Sequence, residues 1–214
     1  TSKIKIYNRL EAIYKKIYFD EVQDLAGWDF DFLQYLSKST VLEIRAVGDF
    51  RQTLYHTVSS PKKPSTQTEK LDFFQKMGFV KSDLNESKRS ILTICNFSDL
   101  IHSGDGYIAT ASNVNVPQGV EHYGLYSIFE EDVESYINQI NPLVLRDSKR
   151  SGQYLPKNCN VMNFGESKGL TADHVLIIST NPILNFLQGK ENSFVDKTGI
   201  GRNRAYVAIT RARY

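Results

Sequence analysis

The sequence has 214 residues, which is enough for one large domain or two small ones. Its 26 basic and 24 acidic residues leave a net charge of +2, so a nucleic-acid partner would have to bind a local groove. Two cysteines are too few for a disulfide scaffold and lack the spacing of a metal site. No apolar run approaches the roughly 18 residues of a membrane span. We therefore expect a soluble, cytoplasmic protein with no membrane partner.

The first third of the sequence has the pattern of strands alternating with helices. Residues 1–15 mix Lys, Ile and Tyr without a helix cap or an initiator Met, which favours a sequence that begins inside a longer pattern. A buried strand is predicted for residues 17–19 and a mostly buried one for residues 41–47. Between them, apolar side chains at 30, 33 and 35 or 36 predict a helix over residues 29–36.

Both predicted strands end in polar residues. Asp20 and Glu21 follow the first strand, and Gly48 and Asp49 follow the second, where the glycine permits a sharp turn. Since ligands bind at the carboxyl ends of strands in open α/β sheets, we expect these residues at one rim. Adjacent acids there suit a division of labour: one holds Mg²⁺, and the other orients an attacking water beside a phosphate. Taken alone, an Asp-Glu pair is most often a solvated turn.

The middle of the sequence predicts further helices and loops. An exposed loop is predicted for residues 58–68, a helix ended by Gly78 for residues 69–77, and a strand for residues 79–84. Apolar residues at 91, 94, 97 and 101 predict a core-facing helix over residues 90–101. Residues 104–109 match the dinucleotide pattern G-x-G-x-x-A, but they follow a helix rather than a strand, so we interpret them as a turn.

The last part of the sequence predicts a parallel sheet. A βαβ unit is expected from a strand over residues 119–129, a helix over 130–140 with an acidic first turn, and a strand over 143–146. A basic loop is predicted for residues 147–158, followed by a strand over residues 159–163. A buried strand over residues 175–179 and a long connection over residues 180–202 come next.

Five segments resemble, in the same order, motifs II to VI of the UvrD/Rep-like superfamily 1 DNA helicases. The ordered set spans nearly the whole chain and is far more specific than any one segment. The matches are Asp20-Glu21-Val22-Gln23-Asp24 with motif II, residues 48–55 with motif III, residues 84–97 with motif IV, residues 163–175 with motif V, and residues 203–213 with motif VI.

The resemblance implies an α/β fold of two RecA-like parallel-sheet domains. Residues 1–92 would be the carboxyl-terminal part of an incomplete first domain, and residues 93–214 most of the second. The implied activity is that of an ATP-dependent DNA helicase, which hydrolyses ATP with Mg²⁺ while moving on single-stranded DNA.

The same resemblance implies roles for individual residues. Asp20 would hold Mg²⁺, with Glu21 beside it as the catalytic base; Gln52 would sense the γ-phosphate, Arg89 would be the motif IV arginine, and Arg211 the arginine finger. Tyr55 would stack on DNA bases, His56 would touch a phosphate or base, and Ser167, Lys168 and Gly169 would couple the nucleotide cleft to the DNA. From the residues alone, Arg211 is more often an exposed salt-bridge residue, and Tyr55 is about as often a core residue as a base-stacking one.

The sequence also departs from the family. No G-x-x-x-x-G-K-[ST] pattern occurs: Gly189-Lys190 is followed by Glu191, and Leu184 stands where the first glycine belongs. We expect ATP binding to need a P-loop segment ahead of residue 1 or a partner subunit. Thr171 replaces the usual glutamate of motif V, and the separation of Arg89 from Lys168 leaves no room for a large accessory insertion.

Two other functions are compatible with the residues. The chain could be a non-catalytic DNA- or protein-binding module with a degenerate helicase fold. It could also, with less support, be a Mg²⁺-dependent nuclease built on Asp20, Glu21 and Asp24. The helicase interpretation makes a geometric prediction: Asp20, Glu21 and Gln52 line one wall of a cleft, and Arg89 and Arg211 line the other.

Overall fold

The computed structural model describes residues 6–54, 62–194 and 199–214. It is an α/β structure in which every described strand pairing is parallel. The chain divides into two compact units, Thr1–Ser82 (unit 1) and Asp83–Tyr214 (unit 2), earlier in the sequence than the predicted boundary at residue 92. Early residues of unit 2 contact its last residues: Ile91 N donates to Arg213 O over 2.9 Å.

The described part of unit 1 contains one small sheet and three α-helices. Its helices and strands are α1 (Ile6–Glu11), β1 (Lys16–Phe19), α2 (Trp28–Leu36), β2 (Glu43–Ala46) and α3 (Gln67–Lys76). Strands β1 and β2 pair in parallel, with Lys16 opposite Glu43 and Phe19 opposite Ala46. The predicted strand–helix–strand order is therefore confirmed.

The core of unit 1 lies between α2, α3 and one face of the sheet. Phe30 and Leu33 of the predicted helix α2 are buried, and Phe30 meets Phe74 of α3 edge to face at 5.5 Å between ring centroids. The prediction of buried strands was wrong. Tyr18 is 62% exposed and Val47 is 45% exposed, because the described sheet has only two strands and its second face is not covered by α2 or α3.

Helix α3 ends as predicted, but the strand expected after it is absent. Gly78 takes φ +82° directly after the helix, a left-handed conformation that glycine adopts without strain. Phe79 packs on Phe74 at 5.2 Å between ring centroids. Residues 79–84 then form no strand, and Val80 and Leu84 are exposed. The predicted strand fails because no other described strand pairs with it.

Unit 2 is built on a three-stranded parallel sheet with the order β6-β5-β7. Strands β3 and β4 form a second, two-stranded parallel pair. The elements of unit 2 are β3 (Glu86–Ser87), α4 (Leu92–Leu100), β4 (Ala111–Ser112), α5 (Val133–Ile140), β5 (Leu143–Arg146), β6 (Val161–Asn163), β7 (Val175–Ile177), α6 (Asn181–Leu187) and α7 (Ile200–Ile209).

The core of unit 2 forms where α4 and α7 pack against the central strand. Leu145 of β5 and Ala208 of α7 are fully buried. Ile91, Ile94 and Ile101 are buried in the same cluster, and Phe97 packs against it. The core-facing helix predicted from these four positions is confirmed.

Three other expectations for unit 2 differ from the structure. Residues 119–129 form no strand, so the predicted βαβ unit is wrong; positive φ values at Gly119 and Gly124 break the extended backbone. The predicted buried strand at residues 175–179 is the shorter β7, whose residues are only half-buried. The expected connection over residues 180–202 contains α6, with Pro182 in its first turn, where proline is tolerated.

Residues 104–109 form a turn rather than a strand–turn–helix, as predicted. Within the described ranges, no helix combines the length and the apolar character needed to cross a membrane.

Candidate functional site

The carboxyl ends of β1 and β2 meet at one rim of the unit 1 sheet. Val47 N donates to Phe19 O over 2.8 Å, and Val22 N donates to Val47 O over 3.1 Å. These bonds place Asp20 and Glu21 beside Gly48 and Asp49. The prediction that two successive strands deliver polar residues to the same rim is confirmed.

The two adjacent acids have different environments. Asp20 is exposed, and its Oδ1 accepts the N–H of Glu21 over 2.8 Å. Glu21 is half-buried and has φ 53° and ψ 40°, in the left-handed region that few residues other than glycine adopt. Such a conformation persists only when its surroundings hold it in place.

The side chain of Gln23 provides part of that support. Gln23 is fully buried; its Nε2 donates to Glu21 Oε2, and its Oε1 accepts the N–H of Asp49 over 3.2 Å. One amide group therefore ties the turn after β1 to the turn after β2.

Gly48 was expected to permit a sharp turn, but it contributes to this bridge by leaving space between the two strand ends. Its φ lies outside the left-handed region, so no sharp glycine turn is formed. A Cβ at position 48 would instead lie 2.9 Å from Val22 Cγ2 and still closer to Gln23 Oε1. Glycine is required here because the two strand ends approach closely.

Asp49 extends the same network to the motif III residues. Its Oδ1 accepts from the backbone N and from Nε of Arg51, each over 3.0 Å. Its Oδ2 accepts from Gln52 Nε2 over 3.2 Å. A continuous series of contacts thus runs from Glu21 through Gln23 and Asp49 to Gln52, and it brings three of the predicted site residues, Asp20, Glu21 and Gln52, to one rim.

Sequence reasoning did not find Lys70, which lies beneath this rim. Lys70 is 1% exposed, and its Nζ donates to Gln23 O over 2.7 Å. Burial lowers the pKa of Lys70, while Asp24 and Asp29 act in the opposite direction. The available signal was its position four residues before the apolar Phe74, which puts both on one face of α3.

Two predicted DNA contacts, Tyr55 and His56, lie outside the described residues. Their roles stay predictions.

In unit 2, the segments 84–97 and 203–213 meet at the carboxyl end of α7. Arg89 is half-buried, and its Nη1 donates to Thr210 O over 3.1 Å. Arg211 follows Thr210, and its Nη2 donates to Thr210 Oγ1 over 3.0 Å. The two predicted site arginines therefore both donate to Thr210.

Arg211 lies in the interior of unit 2. It is 1% exposed; its Nε donates to Val207 O over 2.9 Å, and its Nη1 donates to Leu170 O over 3.3 Å. The alternative that Arg211 is an exposed salt-bridge residue is wrong. The bond to Leu170 connects the end of α7 directly to the loop after β6.

The motif V residues differ in accessibility. Ser167 is fully buried, and its Oγ donates to Phe164 O over 2.7 Å. Lys168 is half-buried, whereas Gly169 is exposed with φ +83°. The accessible part of this loop is therefore Gly169 and Leu170 rather than the Ser167 hydroxyl.

The acids fit a hard cation only in part. Among the described residues, no group of three or more His, Cys, Asp or Glu side chains is arranged to hold a metal ion. Asp24 Oδ1 is buried, and its charge acts on Lys70, so the three-acid nuclease site with Asp20 and Glu21 is not formed. The exposed Asp20 carboxylate at the strand end still fits Mg²⁺, which needs only one or two carboxylates together with substrate phosphates.

The chain matches no protein-family model, and no curated protein resembles it significantly.

Proposed function

We propose that this chain is the motif II to motif VI part of a UvrD/Rep-like superfamily 1 DNA helicase. Such a protein couples ATP hydrolysis to movement on single-stranded DNA, and its two units would be RecA-like domains. The observation that carries the proposal is the hydrogen-bonded series from Glu21 through Gln23 and Asp49 to Gln52. It joins the motif II acid to the motif III glutamine at the rim where open α/β sheets bind ligands.

The rim residues have the chemistry that ATP hydrolysis requires. Asp20 would hold Mg²⁺, and bound Mg²⁺ neutralises charge on the β- and γ-phosphate oxygens. Glu21 would orient the attacking water and accept its proton. Gln52, held by Asp49, would place its amide beside the γ-phosphate. Each role uses an atom at the carboxyl end of β1 or β2.

Unit 2 would supply positive charge and the connection to DNA. Arg89 and Arg211 are the candidates for stabilising charge that develops on the transferred phosphoryl group. Because Arg211 bonds to Leu170 O, movement of Arg211 towards a nucleotide would change the motif V loop. Lys168 and Gly169 lie in that loop. Together with Tyr55, His56 and Ser167, they are the proposed route from nucleotide to single-stranded DNA.

A second candidate is a non-catalytic DNA- or protein-binding module. The 214 residues contain no P-loop pattern, and the guanidinium of Arg211 is buried against backbone carbonyls. Such a module would bind single-stranded DNA or a protein without ATP turnover.

The two candidates are separated by ATP hydrolysis in the natural polypeptide that carries this sequence. We expect phosphate release stimulated by single-stranded DNA, and we expect Glu21→Gln to lower kcat by about 10²–10⁴-fold, the usual contribution of a general base. Glu43→Gln is the control, because Glu43 is an exposed acid on β2, away from the rim. The 214-residue chain assayed alone should show no turnover above background, since it has no P-loop.

DNA binding without any turnover by the natural polypeptide would favour the binding module. Equal losses from Glu21→Gln and Glu43→Gln would remove Glu21 from the catalytic residues. Turnover by the 214-residue chain that disappears in Glu21→Gln would mean that nucleotide binds here without a P-loop.

A further inference from the structure

Lys70 is a lysine in a place where lysine is seldom found. It lies in the middle of α3 and is 1% exposed, although lysine is almost never fully buried unless it is paired. Its ammonium reaches across unit 1 to the turn after β1, 47 residues away in the sequence, where Nζ donates to Gln23 O over 2.7 Å. A charged donor makes a stronger hydrogen bond to a carbonyl than a neutral donor does.

That carbonyl belongs to the residue that organises the rim. The side chain of Gln23 holds Glu21 and the backbone of Asp49, while its main chain is held by Lys70. Gln23 is therefore held both by its side chain and by its main-chain carbonyl.

The backbone next to Gln23 needs such support. Glu21 has a left-handed conformation immediately before the short helical turn Val22–Asp24. Residues of this type persist only where neighbouring groups over-determine the backbone, and they cluster at functional sites. The buried ammonium beneath the turn is one of those neighbouring groups.

The charges around Lys70 are consistent with a protonated side chain. Asp24 and Asp29 both favour its charged form, against the effect of burial. Asp24 lies on the turn itself and Asp29 at the start of α2, so both elements place negative charge that acts on the ammonium.

We propose that Lys70 is a positioning residue for the motif II acids: by holding the carbonyl of Gln23, its ammonium fixes the turn that presents the Glu21 carboxylate at the rim. The catalytic consequence rests on the proposed function. The contact and its effect on the turn do not.

The contact is tested in the 214-residue chain by NMR spectroscopy. The bond predicts ammonium protons of Lys70 that exchange slowly with water, and a through-bond coupling between Lys70 Nζ and the carbonyl carbon of Gln23. A folded wild-type chain without this coupling would overturn the proposal, whether or not the protein hydrolyses ATP.

The effect on the turn is tested with Lys70→Met, which keeps the length of the side chain and removes the donor. We expect shifted amide resonances for Glu21 and Asp49 and for the side-chain amide of Gln23. Lys76→Met is the matched control, because Lys76 is an exposed residue of the same helix. Equal shifts from both variants, or none from either, would count against a positioning role.

The catalytic consequence is tested in the natural polypeptide. Displacement of a catalytic group by about 1 Å can cost up to about 10²-fold in rate. We therefore expect Lys70→Met to lower kcat by about 10–10²-fold at nearly unchanged KM for ATP, as a misplaced Glu21 requires. Lys70→Arg keeps charge and donors but moves them, so its kcat should fall between those of the wild type and Lys70→Met.

The outcomes separate this proposal from the proposed function. If Glu21→Gln abolishes turnover while Lys70→Met leaves kcat intact, the helicase proposal stands and the positioning role is wrong. If the wild-type protein shows no turnover, the helicase proposal fails and the two NMR experiments decide the role of Lys70. If Lys70→Met does not fold, the coupling between Lys70 Nζ and the carbonyl carbon of Gln23 in the wild-type chain decides the positioning role, and its absence would overturn it.

Discussion

Burial of the Lys70 ammonium makes the stability of unit 1 depend on pH. Burial lowers the pKa of Lys70 from the ordinary value of 10.5, although Asp24 and Asp29 oppose the shift. Between the lowered pKa and 10.5, the unfolded chain binds more protons at this position than the folded chain. The contribution of Lys70 to the free energy of unfolding therefore increases as pH rises through that window.

We expect the free energy of unfolding to change with pH at different slopes in the wild type and in Lys70→Met. Urea unfolding followed by fluorescence of Trp28, the only tryptophan, should show the wild type gaining stability relative to the variant as the pH rises towards the ordinary lysine pKa of 10.5. Lys76→Met should keep the wild-type slope, because Lys76 is exposed. Parallel slopes for wild type and Lys70→Met would mean that the Lys70 ammonium titrates as it does in the unfolded chain.

At the level of single residues, sequence reasoning located the acids Asp20 and Glu21 at the rim, but it did not find the residues that hold them in place. Asp20 and Glu21 could be placed because they interrupt an apolar run, which is a local signal. The roles of Gln23 and Lys70 depend on a contact between residues 47 apart, which periodicity does not encode. The burial of Arg211 was missed for the same reason: Leu170, 41 residues away, supplies one of its acceptors.

Helix α3, which contains Lys70, begins with a complete capping box. Thr66 Oγ1 accepts the N–H of Glu69, and the Glu69 carboxylate accepts the N–H of Thr66. Lys63 and the backbone N–H groups of Ser65 and Thr66 lower the pKa of Glu69 to about 2. The contribution of Glu69 is therefore fully present above its ordinary pKa of 4.5 and is lost only as pH falls towards 2.

We expect Thr66→Ala to destabilise unit 1 by about 0.5–2 kcal/mol, the usual cost of removing an N-cap side chain. The measurement is urea unfolding monitored by Trp28 fluorescence. Thr68→Ala is the matched control: Thr68 is an exposed residue inside the same helix, where alanine is the better helix former. A larger loss from Thr68→Ala than from Thr66→Ala would contradict the capping role.

Helices were predicted more accurately than strands. The apolar spacing of α2, α3 and α4 is contained within each segment, so it survives in any context. The strands expected at residues 79–84 and 119–129 failed because a strand needs a partner, and the sequence of one strand does not identify the other. Helix α6 was missed because an Asn-Pro start resembles a loop, although proline fits the first turn of a helix.

At the scale of the whole chain, each unit has its own buried core. Leu33 is buried among Phe30, Val22 and Phe74 in unit 1, whereas Leu145 is buried among the α4 and α7 side chains of unit 2. Both leucines are almost completely inaccessible to solvent. Truncation of either should therefore act first on the unit that contains it.

We expect Leu33→Ala and Leu145→Ala each to cost about 2–5 kcal/mol in its own unit. Leu33→Ala should lower the urea midpoint reported by Trp28 fluorescence, and Leu145→Ala should leave that midpoint nearly unchanged. Hydrogen exchange measured by mass spectrometry over residues 83–214 should show the opposite pattern. If both variants moved the Trp28 midpoint equally, the chain would unfold as one cooperative body.

The parallel α/β class could be predicted from the sequence because strands and helices alternate along most of it. The family resemblance went further and implied RecA-like domains with a shared cleft. The cleft concerns the placement of one unit against the other, which no periodicity within either unit specifies, so it stays a prediction.

The close approach at Gly48 links two parts of the sequence that are 25 positions apart. The space that a side chain at position 48 would need is taken by Gln23 and Val22. Position 48 can therefore gain a side chain only if position 22 or 23 loses volume, and shortening Gln23 would also remove the bridge between Glu21 and Asp49. A substitution of Gly48 must consequently be accompanied by a compensating change at position 22 or 23, which couples the sequence after β2 to the sequence after β1.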